Sequence, residues 1–121
     1  MSKVNLNEYS EFVKAVTSNE SNNLTTFMNQ LDRLDGNYES YGPDGEMQHG
    51  PDFNVPLLLT AAMGLSSETG EFNEIVKKCM FQGKKLDAST LFHLKRELGD
   101  VVFYWINGCL ALKFEPTERS E

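Results

Sequence analysis

Histidine and cysteine are scarce in this chain, with two of each among 121 residues. His49 and His93 do not make the Cys/His set that zinc usually wants. Cys79 and Cys109 lack C-x-x-C spacing and fall on apolar helical faces, where free cysteines behave as buried reduced thiols. Bases are also the minority, 11 against 18 acids, for a formal net charge of -7. That argues against a nucleic-acid polymer or an anionic membrane as partner, since such binding needs Lys/Arg clusters to replace counterions. A small anionic substrate held through a metal is not excluded. Long hydrophobic runs are missing too. Val101 to Leu112 is too short to span a membrane and is broken by Asn107 and Gly108. The opening Met1-Ser2-Lys3-Val4-Asn5 has no apolar run of the signal-peptide kind, so the expected location is cytoplasmic.

Alternating β patterns of useful length, internal repeats and low-complexity tails are absent as well. The expected fold is all-α, an antiparallel bundle of about four helices in a single domain over residues 1–121. The first helix is expected from about Leu6 to Val16, with Tyr9, Phe12, Val13 and Val16 on one face and Asn5 or Asn7 as its cap. The second runs from about Asn22 to Leu34, with Leu24, Phe27, Met28, Leu31 and Leu34 at helical spacing, and Gly36 ends it. Between Gly36 and Pro56 come Gly42, Pro43, Gly45, Gly50 and Pro51, with Tyr38 and Tyr41 among them. Such a density of breakers predicts a long loop at about 36–55, either a lid or binding loop or a plain surface excursion. The third helix is expected from about Val55 to Phe81, closed by Gly83. The fourth is capped by Asp87 and reaches about Lys113 before Pro116.

Two acidic pairs stand out on the last two helices: Glu68-x-x-Glu71 and Glu97-x-x-Asp100. Along helix three, Leu58, Ala61, Leu65, Glu68, Phe72, Ile75 and Cys79 alternate spacings of three and four. Glu68 thus occupies a place where an apolar residue is expected, and Glu71 lies on the flank of that stripe. Glu74 turns toward solvent, where a surface pair with Lys78 accounts for both. On helix four, Leu91, Leu94, Leu98, Val101, Trp105, Cys109 and Leu112 form the core stripe. Beside it run His93, Glu97, Asp100, Tyr104 and Asn107, within a sector of roughly 80° at about 100° per residue. Antiparallel packing across a short connection brings the middles of both helices together.

Clustered carboxylates beside a core repel one another and resist losing water, and a divalent cation compensates them. Di-iron bundles use Glu-x-x-His pairs, and here no His stands three residues after Glu68, Glu71 or Glu97. An all-oxygen set points to Mg²⁺, with Mn²⁺ as a substitute, and Mg²⁺ commonly meets substrate phosphates.

The run Leu65-Ser-Ser-Glu68-Thr-Gly-Glu71-Phe-Asn-Glu74, followed by Glu97-Leu-Gly-Asp100-Val-Val-Phe-Tyr104-Trp, resembles the MazG-like nucleotide pyrophosphohydrolases. The likeness covers residues 55–114 well and extends to the first helix, while the 36–55 loop matches poorly. Relatives often carry two adjacent acids where this chain has Ser67-Glu68, so a fifth acid is lacking. The resemblance implies a homodimeric or homotetrameric helical bundle of the short, single-domain bacterial or phage type. It also implies Mg²⁺-dependent hydrolysis of (deoxy)nucleoside triphosphates to monophosphate and pyrophosphate.

Glu68, Glu71, Glu97 and Asp100 would then be both metal ligands and catalytic residues, with Glu71 on the edge as the group that orients or deprotonates water. No positioned Ser, Cys or His nucleophile is visible, which favours direct attack by water. Tyr104 would meet a base or sugar, or serve as a half-buried core aromatic. Asn107 would bond a phosphate or sugar hydroxyl, or be a satisfied polar residue. Lys78, Lys84 and Lys85 would meet phosphate oxygens, or remain solvated. His93 would touch substrate, or be simply a partly exposed residue of the same lane. Three rival readings stand beside this one. They are an all-α phosphohydrolase acting on dUTP or an alarmone, a non-catalytic module that senses nucleotides or binds a partner, and a metal-storage or redox bundle.

Overall fold

The structure is a computed structural model that describes residues 3–36, 39–49 and 52–117. Met1, Ser2 and, in the long loop, Tyr38, Gly50 and Pro51 lie outside the described residues. The elements are α1 (Leu6–Val16), α2 (Leu24–Leu34), β1 (Glu39–Tyr41), β2 (Met47–His49), α3 (Val55–Phe81) and α4 (Ala88–Ala111). The architecture is all-α apart from one small hairpin. No described helix is long and apolar enough to cross a membrane. Sequence reasoning places one domain over the chain; the structure is described as two units, residues 1–34 and 35–121.

In the first unit, the Asn5 side chain caps α1 by accepting from the backbone N–H groups of Asn7 and Glu8 at 3.1 and 3.2 Å. Asn5, not Asn7, is therefore the cap. At α2 the Asn23 side chain accepts from Thr26 N–H at 2.9 Å, which starts the helix two residues later than the apolar spacing suggests. Neither helix buries a residue.

The second unit is built on α3 and α4. Asn54 caps α3 by accepting from Leu57 N–H at 3.1 Å, and Asp87 caps α4 by accepting from Thr90 N–H at 2.9 Å. Such a cap contributes about 1 kcal/mol. Gly83, at φ 73°, closes α3 in the left-handed conformation that lets Lys84 N–H reach back to Lys78 O at 3.2 Å. The end of α4 is closed by the same device without a glycine. Lys113 takes φ 61°, and Phe114 N–H donates to Cys109 O at 3.1 Å. That closure stops α4 at Ala111, two residues before the sequence expectation.

The two helices pack antiparallel. Asn54 N–H donates to Ala111 O at 2.9 Å near one end, Gly64 faces Tyr104 further along, and Glu68 meets Glu97 and Asp100 beyond that. The buried residues along this seam are small: Val55, Ala61, Gly64, Thr90, Cys109 and Ala111. Small side chains let two helices approach closely. Cys79 is half-buried, and both cysteines are free thiols. Trp105 lines an apolar groove of about 300 Å³ with Leu58, Leu65, Cys109 and Leu112.

The segment between Gly36 and Asn54 is not a featureless loop. Glu39, Ser40 and Tyr41 pair antiparallel with His49, Gln48 and Met47. Gly45, at φ 80°, makes the turn, helped by Glu46 N–H donating to Asp44 Oδ1 at 3.1 Å. Strands of three residues are too short for an alternating pattern to register in sequence. The two ends of the segment are held together. Gly36 N–H donates to Phe53 O at 3.0 Å, and Val55 N–H donates to Asp35 Oδ1 at 2.9 Å.

Candidate metal centre

Glu68 lies on the α3 stripe that faces α4, while Glu97 and Asp100 lie three residues apart on α4. Antiparallel packing brings one oxygen of each to within 4.8 Å of the others, and all three side chains are half-buried. As ionised carboxylates they are acceptors only, so none can satisfy another. Glu68 Oε2 and Glu97 Oε2 are buried with no hydrogen-bond partner. The lysines of α3 do not relieve them: Lys77 and Lys78 pair with Glu74 at 3.5 and 3.9 Å.

Without a cation, a proton held between Glu68 and Glu97 is the available remedy. The hydrogen bond to Glu97 is the main cause that pushes the Glu68 carboxyl up, to about 7 from 4.5. Desolvation and the negative charges of Glu71, Glu97 and Asp100 add to it. The same shared proton holds Glu97 below the ordinary carboxylate value. Desolvation opposes that shift, while Glu71, Arg96 and His93 reinforce it. Two neighbouring acids pushed apart in this way mark a place where one positive charge is wanted.

The donor set tests which charge fits. Three carboxylates converging from two helices, two of them with an orphaned buried oxygen, suit a hard divalent cation such as Mg²⁺ or Mn²⁺. Among the described residues the cluster includes no His or Cys.

The remaining candidates are placed differently. Glu71 is exposed and stands outside the trio, yet close enough for its charge to act on Glu68. Tyr104 is half-buried, with its ring over Gly64 and edge-on to Phe103 at 5.2 Å between centroids. Asn107 is half-buried on the next turn of α4. His93 is exposed one turn before Glu97, edge-on to Phe92 at 5.7 Å. Lys78 is exposed and paired with Glu74, roughly 15 Å along α3 from Glu68 at about 1.5 Å per residue. Lys84 and Lys85 are exposed in the α3–α4 connection, where the Lys84 charge helps hold Asp87 down behind its cap hydrogen bonds. The structure does not gather these lysines into the trio.

Two residues near the site escaped sequence reasoning. Arg96 adjoins Glu97 and helps keep it ionised. Gly64 lies one turn before Glu68 and is buried against Tyr104. The signal for Gly64 was present, since an isolated glycine inside a helical pattern calls for a packing reason. No protein-family model, curated protein or solved structure matches the chain.

Proposed function

We infer that the α3–α4 carboxylates hold Mg²⁺ and, through it, a (deoxy)nucleoside triphosphate that water hydrolyses to monophosphate and pyrophosphate. The observation that carries this reading is the trio itself: three carboxylate oxygens within 4.8 Å, two of the groups each leaving a buried oxygen without a donor. The likeness of Glu68-x-x-Glu71 and Glu97-x-x-Asp100 to the MazG-like signature supports the choice of substrate.

In this reading Glu68, Glu97 and Asp100 hold the cation, which when bound supplies charge neutralisation and orientation of the phosphate chain. Glu71 is exposed at the edge, and its carboxylate takes the proton of the attacking water. The water oxygen bonds to the α-phosphorus as the bridge to the β-phosphate breaks, and pyrophosphate leaves. The half-buried Tyr104 and Asn107 continue the same lane of α4, where Tyr104 would meet base or sugar and Asn107 a phosphate or sugar hydroxyl. The test is a panel of nucleoside triphosphates with Mg²⁺ in ¹⁸O-labelled water. The expected result is release of pyrophosphate with label in the monophosphate. Release of orthophosphate, or no turnover with any member, refutes the reading.

Assembly as a homodimer or homotetramer belongs to the same proposal. Phe92, Phe103 and Leu110 are 63%, 61% and 54% exposed. Their spacing puts them within about 20° of one another, on the side of α4 away from Tyr104 and Gly108. A helix apolar on two sides is ordinarily buried on both. Sedimentation is expected to find the wild type as a dimer or larger and Phe103→Glu shifted toward monomer. A monomeric wild type at micromolar concentration would contradict this.

A further inference from the structure

Helix α3 carries glycines at 64 and 70, and their surroundings differ. A Cβ added at Gly70 would meet nothing within 4 Å, and the same holds for Gly99 on α4. Gly64 is buried, and a Cβ there would overlap Cγ, Cδ1 and Cε1 of the Tyr104 ring. The ring occupies the space that any other residue would fill. Gly64 has no positive φ and sits in regular helix, so no turn requires it. Close approach of the ring is the reason that remains, set against the lower helix propensity of glycine.

This contact is the layer of the helix interface next to the carboxylates. Gly64 precedes Glu68 by one turn, and Tyr104 follows Asp100 by one turn. Beyond it, Gly108 meets Ala61, where an added Cβ would stand 3.7 Å from the alanine methyl. That is an ordinary contact, so the Gly108 layer would accept a methyl group where the Gly64 layer would not. Between Gly64 and the ring a methyl group has no space of its own; either the ring leaves or the helices part.

We propose that Gly64 is a positioning residue for the carboxylate trio. Lacking a Cβ, it seats the Tyr104 ring on α3 and sets the α3–α4 separation at which Glu68 comes within ligating range of Glu97 and Asp100. Its functional meaning rests on the metal-site reading; the geometry it invokes does not. Magnesium-type sites demand near-ideal placement of their oxygens, so a small displacement at this layer is felt as lost affinity.

The test uses the full chain as wild type, Gly64→Ala, Tyr104→Ala and the double variant, titrated with MnCl₂ by calorimetry, with circular dichroism as the check on folding. Gly64→Ala is expected to remain helical and to bind Mn²⁺ about tenfold or more weakly. Removing the ring as well is expected to return the affinity to that of Tyr104→Ala alone. A metal-free crystal structure of Gly64→Ala should show the three oxygens no longer within 4.8 Å of one another. Wild-type affinity in Gly64→Ala, or an undisturbed trio in that crystal structure, overturns the proposal. If the wild type binds no Mn²⁺, the metal reading fails and the crystal structure alone decides the positioning role. If Gly64→Ala does not fold, folding restored in the double variant supports the proposal, and its absence overturns it.

Discussion

Glu97→Gln is expected to lose activity on the order of 10³-fold while the metal-free protein remains folded and no less stable than the wild type. Activity and stability should move apart because of what the amide brings. Glu97 Oε2 and Glu68 Oε2 are both buried acceptors without a donor. The substitution replaces one negative oxygen with an NH₂ group able to donate to Glu68, relieving the repulsion that a cation would otherwise relieve. Asp100→Asn should act the same way on activity, since Asp100 supplies the third oxygen of the trio and its charge also bears on Glu68. Saturating Mg²⁺ or Mn²⁺ at about 100 times its Kd should stabilise the wild type by about 2.7 kcal/mol, and neither variant by a comparable amount. Paired melts with and without the cation, alongside the turnover assay, check both halves. Near-normal turnover in either variant would remove these residues from the site.

The second large effect is a reversal in pH dependence. Glu68 has its folded value pushed up to about 7 from 4.5, so in the metal-free protein its contribution to stability is complete below about 4.5 and is lost as pH rises through 7. Glu97 has the opposite sign. Its value is lowered, so its contribution is present above 4.5 and is lost as pH falls through the lowered value. Metal-free protein is therefore expected to melt at a lower temperature at pH 8 than at pH 5.5. Cation binding displaces the proton held between Glu68 and Glu97, so affinity should rise with pH up to about 7 and then level off. Added Mg²⁺ then raises the melting temperature more at pH 8 than at pH 6. Glu68→Gln removes the titrating group: its melting temperature should change little between pH 5.5 and 8, and the cation should shift it far less. A wild-type melt that rises through neutral pH without metal would show that no proton is held between these acids.

Much of this arrangement could be read before folding. Apolar spacing gave the helices, and local punctuation gave their ends, because caps such as Asn5 and Asp87 and the stop at Gly83 act within one turn of sequence. The placing of Glu68 on the apolar stripe and Glu71 on its flank follows from angle alone, and the structure has the first half-buried and the second exposed. What sequence did not disclose depends on partners distant along the chain. Asp35 caps Val55 from 20 residues away. The hairpin between Gly36 and Asn54 is too short for its pattern to speak. The meeting of Gly64 with Tyr104 required knowing the register between two helices, which periodicity within each cannot supply.

The staple at the base of the hairpin segment has a bearing on how such chains can vary. Gly36 bonds to Phe53 and Asp35 to Val55, so the segment departs and returns through a single doorway at the start of α3. Lengthening an excursion closed in this manner carries a small entropic penalty, about 0.6 kcal/mol for each doubling. A graft at the Asp44–Gly45 tip can therefore grow or shrink with little consequence for the helices carrying the carboxylates. New contacts could be appended there while the carboxylates stay where they are.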